Sequence, residues 1–283
     1  MMTQPSIGVF DSGVGGLSVL RQIEQRLPNQ PLVYFADQAH VPYGSRSLDD
    51  VRELSEGITR LLLEQGCEIV VVACNTASAA ALQALRSSFP DTPFVGMEPA
   101  VKPAAERSET RKVAVLATPA TFQGALFASV VDRFAHEVDV VEIIAPGLVE
   151  LIEDGQTSSE AIDLVLQTYL EPPELQGVDT LVLACTHYSF VIPAIQRMLG
   201  PAVSVIDPAP AIALQTDKLW GPQKHGGGTG THAGTSTHAG TSTRYITSGD
   251  PEAFRRSLMK LIGDEATAQA ASWEAGSLVL RGN

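Results

Sequence analysis

Seven runs of consecutive apolar residues, each followed by a polar turn or a stretch of helical periodicity, constrain this chain more than any other feature. The runs are Ile7–Phe10, Leu32–Ala36, Ile69–Ala73, Val113–Ala117, Val140–Ile144, Leu181–Ala184 and Val203–Ile206. A strand that is apolar on every residue is covered on both faces, as in a parallel sheet with helices packed above and below. The intervening segments Leu17–Leu27, Leu48–Gln65, Ala77–Phe89, Phe122–Phe134, Ser158–Tyr169 and Ile192–Leu199 carry the helical pattern. Ser47 with Asp50, and Thr157 with Glu160, have the spacing of helix caps, and Asp250-Pro251 reads as a cap followed by proline at the first helical position. The alternation predicts an α/β fold with mostly parallel sheets flanked by helices. At 283 residues and 44% hydrophobic the chain is long enough to bury such a core without staples.

Residues 221–243 break the pattern. Gly226-Gly-Gly-Thr-Gly-Thr leads into the hexapeptide Thr-His-Ala-Gly-Thr-Ser, present at 231–236 and again at 237–242. It lacks large apolar residues, so a flexible surface insertion is expected. His225, His232 and His238 fall in it without a cysteine or an acidic residue beside them, a poor set for a metal, and no metal site is expected.

A second regularity is internal. Val70-Val-Val-Ala-Cys74-Asn-Thr-Ala returns in outline as Leu181-Val-Leu-Ala-Cys185-Thr-His-Tyr, and Ile7–Ser12 returns as Val113–Thr118. The offsets, 111 and 106 positions, are close enough to imply two structurally similar halves. A lone cysteine at a strand end is often only a small buried hydrophobe. Two of them, each at the same place in a repeated unit, point to chemistry. The carboxyl end of a parallel strand is where such sheets bind ligands, and a helix start after the cysteine favours its thiolate. Facing halves would set Cys74 and Cys185 on opposite sides of one cleft. One thiol would remove a proton from carbon and the other would deliver one to the opposite face, a task suited to a group whose ordinary pKa is about 8.5. Cys67, after Leu61-Leu-Leu-Glu-Gln-Gly, has no such setting and reads as structural.

Three further segments surround this pair. Phe10-Asp-Ser-Gly-Val-Gly-Gly16 follows the first strand, lacks the spacing of a dinucleotide loop, and puts Asp11 where it either holds an ammonium group or assists a thiol; as a plain turn, Asp11 or Ser12 would be its cap. Asp37-Gln-Ala-His40-Val-Pro42-Tyr43-Gly44 has the composition of a binding loop, or of a simple Pro/Gly turn. Asn75-Thr76 and Thr186-His187 stand at helix starts, which bind carboxylates well, and His187 is a candidate proton partner for Cys185.

Together Phe10–Gly16, Tyr34-Phe-Ala-Asp37, Pro42-Tyr-Gly44, Ala73-Cys-Asn-Thr-Ala77 and Ala184-Cys-Thr-His-Tyr188, in this order between Ile7 and about Ala213, resemble the glutamate racemases of the aspartate/glutamate racemase superfamily. The resemblance implies a cofactor-independent two-base isomerase that interconverts L- and D-glutamate for peptidoglycan synthesis. It implies two similar domains with the active site between them, the second inserted in the first: residues 1–98 with 208–283, and 99–207. It assigns Cys74 to the proton of D-glutamate and Cys185 to that of L-glutamate, with Asp11 and His187 as further catalytic residues. It makes Asp11, Ser12, Tyr43, Gly44, Asn75, Thr76, Thr186 and His187 the substrate contacts, and Asp37 and Glu150 assisting acids. One departure is Ser189, where the family usually has proline.

The expected partner is a small molecule, glutamate, and the expected assembly a homodimer. A net charge of −13 argues against nucleic-acid contact and against docking on an anionic membrane. With three cysteines, no apolar run long enough to span a bilayer and no signal peptide in residues 1–6, a cytoplasmic protein is expected. None of the five lysines follows a motif cysteine or the glycine loop, so no cofactor is expected. The alternatives are a related two-cysteine racemase acting on aspartate or a hydantoin, and a non-catalytic binding protein; the intact cysteine pair favours an enzyme.

Overall fold

The computed structural model describes residues 5–221 and 243–282. Among the described residues eleven strands form two sheets. Strands β1 (Ser6–Asp11), β2 (Leu32–Ala36), β3 (Cys67–Val72), β4 (Phe94–Gly96), β9 (Thr243–Thr247), β10 (Ala268–Glu274) and β11 (Ser277–Leu280) make a seven-stranded sheet in the order β11-β10-β9-β2-β1-β3-β4. Strands β5 (Lys112–Ala117), β6 (Asp139–Ile143), β7 (Thr180–Ala184) and β8 (Ser204–Ile206) make a four-stranded sheet in the order β6-β5-β7-β8. Only the β10–β11 pair is antiparallel. The order β2-β1-β3-β4 therefore returns as β6-β5-β7-β8, all parallel, and the two cysteines follow the equivalent strands β3 and β7.

Alternation along the strands fills both faces of each sheet. In β3 and the two residues beyond it, Ile69, Val71 and Ala73 pack with the Leu17–Arg26 and Pro251–Ile262 side, while Val70, Val72 and Cys74 pack toward Leu48–Glu64 and Asn75–Ser88. In β7 and just past it, Leu181, Leu183 and Cys185 face one way, Val182 and Ala184 the other. Ser47 caps the helix Leu48–Glu64 through the amide of Asp50, and Asp250 with Pro251 starts Pro251–Ile262, as the sequence predicts.

Other expectations need correction. The cap of Glu160–Leu170 is Ser159, accepting from the Ile162 amide, and not Thr157. The helical stretch expected over Phe122–Phe134 is two helices, Pro119–Gln123 and Ala125–Phe134, broken at Gly124, which is extended and packs so closely on Ala79 that a Cβ would lie 2.6 Å from the alanine methyl. Strands β4, β9, β10 and β11 carry no long apolar run: β4 is three residues, and β9 and β10 mix polar with apolar residues. The expected insertion 221–243 is trimmed at both ends. Gly221 closes the helix Ala209–Trp220, and Thr243 already pairs with Leu32; the remainder of that reading lies outside the described residues.

Candidate active site

Cys74 and Cys185 stand just past the carboxyl ends of β3 and β7 and line one cavity of about 270 Å³. Its wall also includes Ser12, Tyr43, Gly44, Asn75, Thr76, Thr118, Thr186 and His187. The two halves thus bring nine of the sequence-predicted residues to one space. Cys74 is the N-cap of Asn75–Ser88, its Sγ accepting from the Ala77 amide at 3.4 Å. That helix start does not win: burial, and then the nearby Asp11 carboxylate, push the Cys74 thiol well above its ordinary pKa. After Cys185 the expected α-helix is a 3-10 turn, Thr186–Val191, and the α-helix begins only at Ile192. Ser189, in that turn, donates to Asp207 Oδ1 at 3.0 Å and so ties the Cys185 turn to the segment after β8. Cys67 is buried against Ser6, with its thiol pushed up to about 11 by burial.

Asp11 is fully enclosed behind the wall. Its Oδ2 accepts from the amides of Gly13 (3.2 Å) and Gly16 (3.1 Å), and its Oδ1 from the Thr186 hydroxyl (3.3 Å). Burial raises its pKa, against the lowering effect of His187. The loop and Thr186 thus take three of its acceptor sites, and Asp11 stands behind the cavity wall rather than on it. The loop itself lies on the second half: a Cβ on Gly15 would overlap the His187 ring and the Thr186 hydroxyl. Gly15→Ala is expected to displace His187 and, if the cavity is an active site, to lower kcat/KM by about 10²-fold, the size of effect that a small misplacement in such a site has. A steady-state comparison, with circular dichroism to establish that the fold is kept, checks it.

His187 sits between a thiol and a carboxylate. Its Nδ1 lies 3.7 Å from Cys185 Sγ, and its Nε2 lies 2.6 Å from Glu153 Oε1. Burial alone would lower its pKa, but the hydrogen bonds and charges of Cys185 and Glu153 raise it well above the ordinary histidine value. Glu153 in turn is held low: burial opposes this, but His187, the Val14 amide (2.9 Å) and the Gln38 amide (3.3 Å) outweigh it. Sequence reasoning named Glu150 for such a role. Glu150 is exposed, on a different side of the same short helix Leu148–Glu153, and borders a neighbouring cavity of about 520 Å³ with Tyr188. Glu153, one helical turn later, is the carboxylate that reaches His187; nothing in its local sequence distinguishes it from Glu150.

Asp37 is also fully buried and outside the cavity wall. It accepts from the Tyr43 hydroxyl (2.6 Å), Ser248 (2.7 Å) and the Trp273 indole (2.9 Å), and His40 Nδ1 lies at 3.0 Å. Burial would raise its pKa, and these partners lower it. Thr118 is a wall residue beyond those the sequence suggests, although the internal repeat sets it 106 residues after Ser12; its hydroxyl meets those of Thr76 and Thr121 at 2.9 Å each, joining the halves. Asn75 stands apart: both side-chain polar atoms are buried with no hydrogen-bond partner, at the cavity wall. A buried amide left open in this way is a costly feature unless a ligand fills it.

Comparison with known proteins agrees with this geometry. The glutamate racemase of Ectopseudomonas mendocina (strain ymp) is 47% identical over 93% of this chain and 97% of its own length. Among solved structures, glutamate racemase isoform RacE1 of Bacillus anthracis superposes with a TM-score of 0.80 at 26% identity, covering 96% of this chain and 98% of that one. Escherichia coli glutamate racemase, in complex with L-glutamate and the activator UDP-MurNAc-ala, gives 0.77 at 30% identity over 99% and 100%. The profile of Asp/Glu/Hydantoin racemases matches residues 7–216, a span that holds both thiols, His187 and Glu153; the chain belongs to that family.

Proposed function

We propose that the protein is a glutamate racemase, and that Cys74 and Cys185 act as opposed acid and base. The observation that carries the reading is the placement of two thiols at equivalent strand ends of two like-ordered sheets, both on the wall of one small cavity. The relatives' activity on glutamate supports the substrate.

In this reading glutamate lies between the halves. The open Asn75 amide, whose Oδ1 accepts and whose Nδ2 donates, meets the ammonium and a carboxylate. The amides and hydroxyls of Ser12, Thr76 and Thr186 supply further donors. Cys185 takes the α-proton of L-glutamate while His187, held charged by Glu153, presents Nδ1–H to the sulfur. Cys74, kept protonated by burial and by Asp11, delivers its proton to the opposite face. For D-glutamate the roles exchange. Placed donors on the cavity wall stabilise the charge that develops when the weakly acidic α-proton leaves.

The test is loss of optical rotation with L-glutamate, L-aspartate and L-alanine, with no cofactor added, after exhaustive dialysis. Racemisation of glutamate alone is expected. Preference for aspartate would reassign the substrate, and activity destroyed by hydroxylamine and restored by pyridoxal phosphate would replace the two-thiol chemistry.

Sheet membership supports domain limits of 1–98 with 208–283, and 99–207. The need for two free thiols supports a reducing, cytoplasmic setting; no helix among the described residues is long and apolar enough to cross a membrane. The homodimer implied by the family resemblance is checked by sedimentation.

A further inference from the structure

Two of the four residues that hold Asp37 come from a part of the chain that the family profile does not cover. That match ends at residue 216, yet Ser248, just after β9, and Trp273, on β10, both donate to Asp37 Oδ1, at 2.7 and 2.9 Å. The carboxylate's other oxygen accepts from the Tyr43 hydroxyl at 2.6 Å, and Tyr43 is on the wall of the reaction cavity, followed by Gly44. Trp273 is fixed on its other sides. Its ring stands edge-on to His40, with centroids 5.5 Å apart. It also fits against Gly57 so closely that a Cβ there would come within 2.7 Å of the ring. Strand β11 backs it, with Trp273 opposite Leu278. The indole N–H therefore has one direction to point, and Asp37 is what it meets.

We infer that Trp273 is a positioning residue for the reaction: through its hydrogen bond to Asp37 it sets the Tyr43–Gly44 wall against which substrate lies, so that the C-terminal hairpin, remote from both thiols, adjusts substrate binding. The physical reason is the number of donors. A buried carboxylate surrounded by four donor groups has a single arrangement that satisfies them all. Removing the indole N–H frees one lone pair and lets Asp37 and the Tyr43 hydroxyl shift together. The thiols, just past β3 and β7, are not touched by this change. The effect therefore falls on substrate affinity more than on proton transfer. This inference rests on the reading of the cavity as a glutamate site.

Trp273→Phe keeps the ring and removes the donor. The expected result is a rise of about fivefold in KM for glutamate with kcat within about twofold of the parent, the size expected for one loosened hydrogen bond to a charged group that acts through a second residue. A spectroscopic test is available because the chain has two tryptophans. Trp220 donates to Gln30 in another part of the fold and serves as the control. In a Trp220→Phe background the remaining emission comes from Trp273. Glutamate is expected to change that emission in the parent, and this change is expected to vanish when Asp37→Asn is added. Wild-type KM and kcat in Trp273→Phe would overturn the inference. So would an equal fall in kcat and thermal stability with KM unchanged, which marks a merely structural tryptophan. If Trp273→Phe does not fold, the emission titration decides alone, and no change at saturating glutamate overturns the inference. Failure of the underlying substrate reading looks different: the unmodified protein would not racemise glutamate at all.

Discussion

Cys74→Ala and Cys185→Ala are each expected to abolish racemisation in both directions, by at least about 10³-fold, the upper range for loss of a general acid or base. A complete turnover needs one proton removed and another delivered, so neither thiol alone completes it. Serine in either place is expected to be nearly as damaging, because a hydroxyl is a much weaker acid than a thiol. Cys67→Ala is the internal control. That thiol is pushed up to about 11 and sits beside Ser6, away from the cavity wall, so its removal should leave kcat/KM unchanged apart from a small loss of stability. Steady-state rates from both enantiomers check all of these variants.

Glu153→Ala is expected to weaken both the activity and the fold. It leaves His187 buried without the partner that keeps it charged, and activity should fall by about 10²-fold, within the range for a disturbed proton-transfer partner. Removing one member of a buried ion pair also destabilises the fold, here by about 3 kcal/mol. The pH dependence has a definite sign. His187 has a folded pKa raised above its unfolded value of about 6.5, so its contribution is fully present below that pH and is lost as pH rises through the folded value. Glu153 has a depressed folded pKa, so its contribution is present above about 4.3 and is lost as pH falls through the folded value. The stability gap between parent and Glu153→Ala should therefore be widest between those two limits and should close toward alkaline pH. Urea midpoints measured across pH show this; a gap that does not change with pH would mean that the pair is not ionic.

Much of this was legible because the sequence repeats itself. Two strands that end in Ala-Cys, at nearly the same offset as two strand-turn units, predicted two like halves, and the strand order β2-β1-β3-β4 against β6-β5-β7-β8 has that form. Residues adjacent in sequence to the thiols, Asn75, Thr76, Thr186 and His187, were legible for the same reason, and all four are on the cavity wall. Glu153 was not legible. Which of two glutamates on one short helix faces inward depends on how Leu148–Glu153 sits against β1's loop, a tertiary fact with no local signature. Trp273 and Ser248 lie more than 200 residues from Asp37, in a hairpin and just after a short strand of mixed polarity, and periodicity does not mark such elements. The effect of the helix start on Cys74 is not legible in sequence, because burial and a neighbouring carboxylate outweigh a helix terminus.

The central claim, that the two thiols serve opposite faces of one carbon, is tested most directly by exchange of the α-proton in deuterated water with each single-cysteine variant. Each variant keeps one working base and cannot finish the turnover. Cys185→Ala, with Cys74 intact, is predicted to wash out the α-proton of D-glutamate and leave that of L-glutamate in place; Cys74→Ala, with Cys185 intact, is predicted to do the reverse. Proton NMR of the recovered substrate reads both. Washout of both enantiomers by a single variant, or racemisation retained in Cys185→Ala, would contradict the account and require one base that reaches both faces.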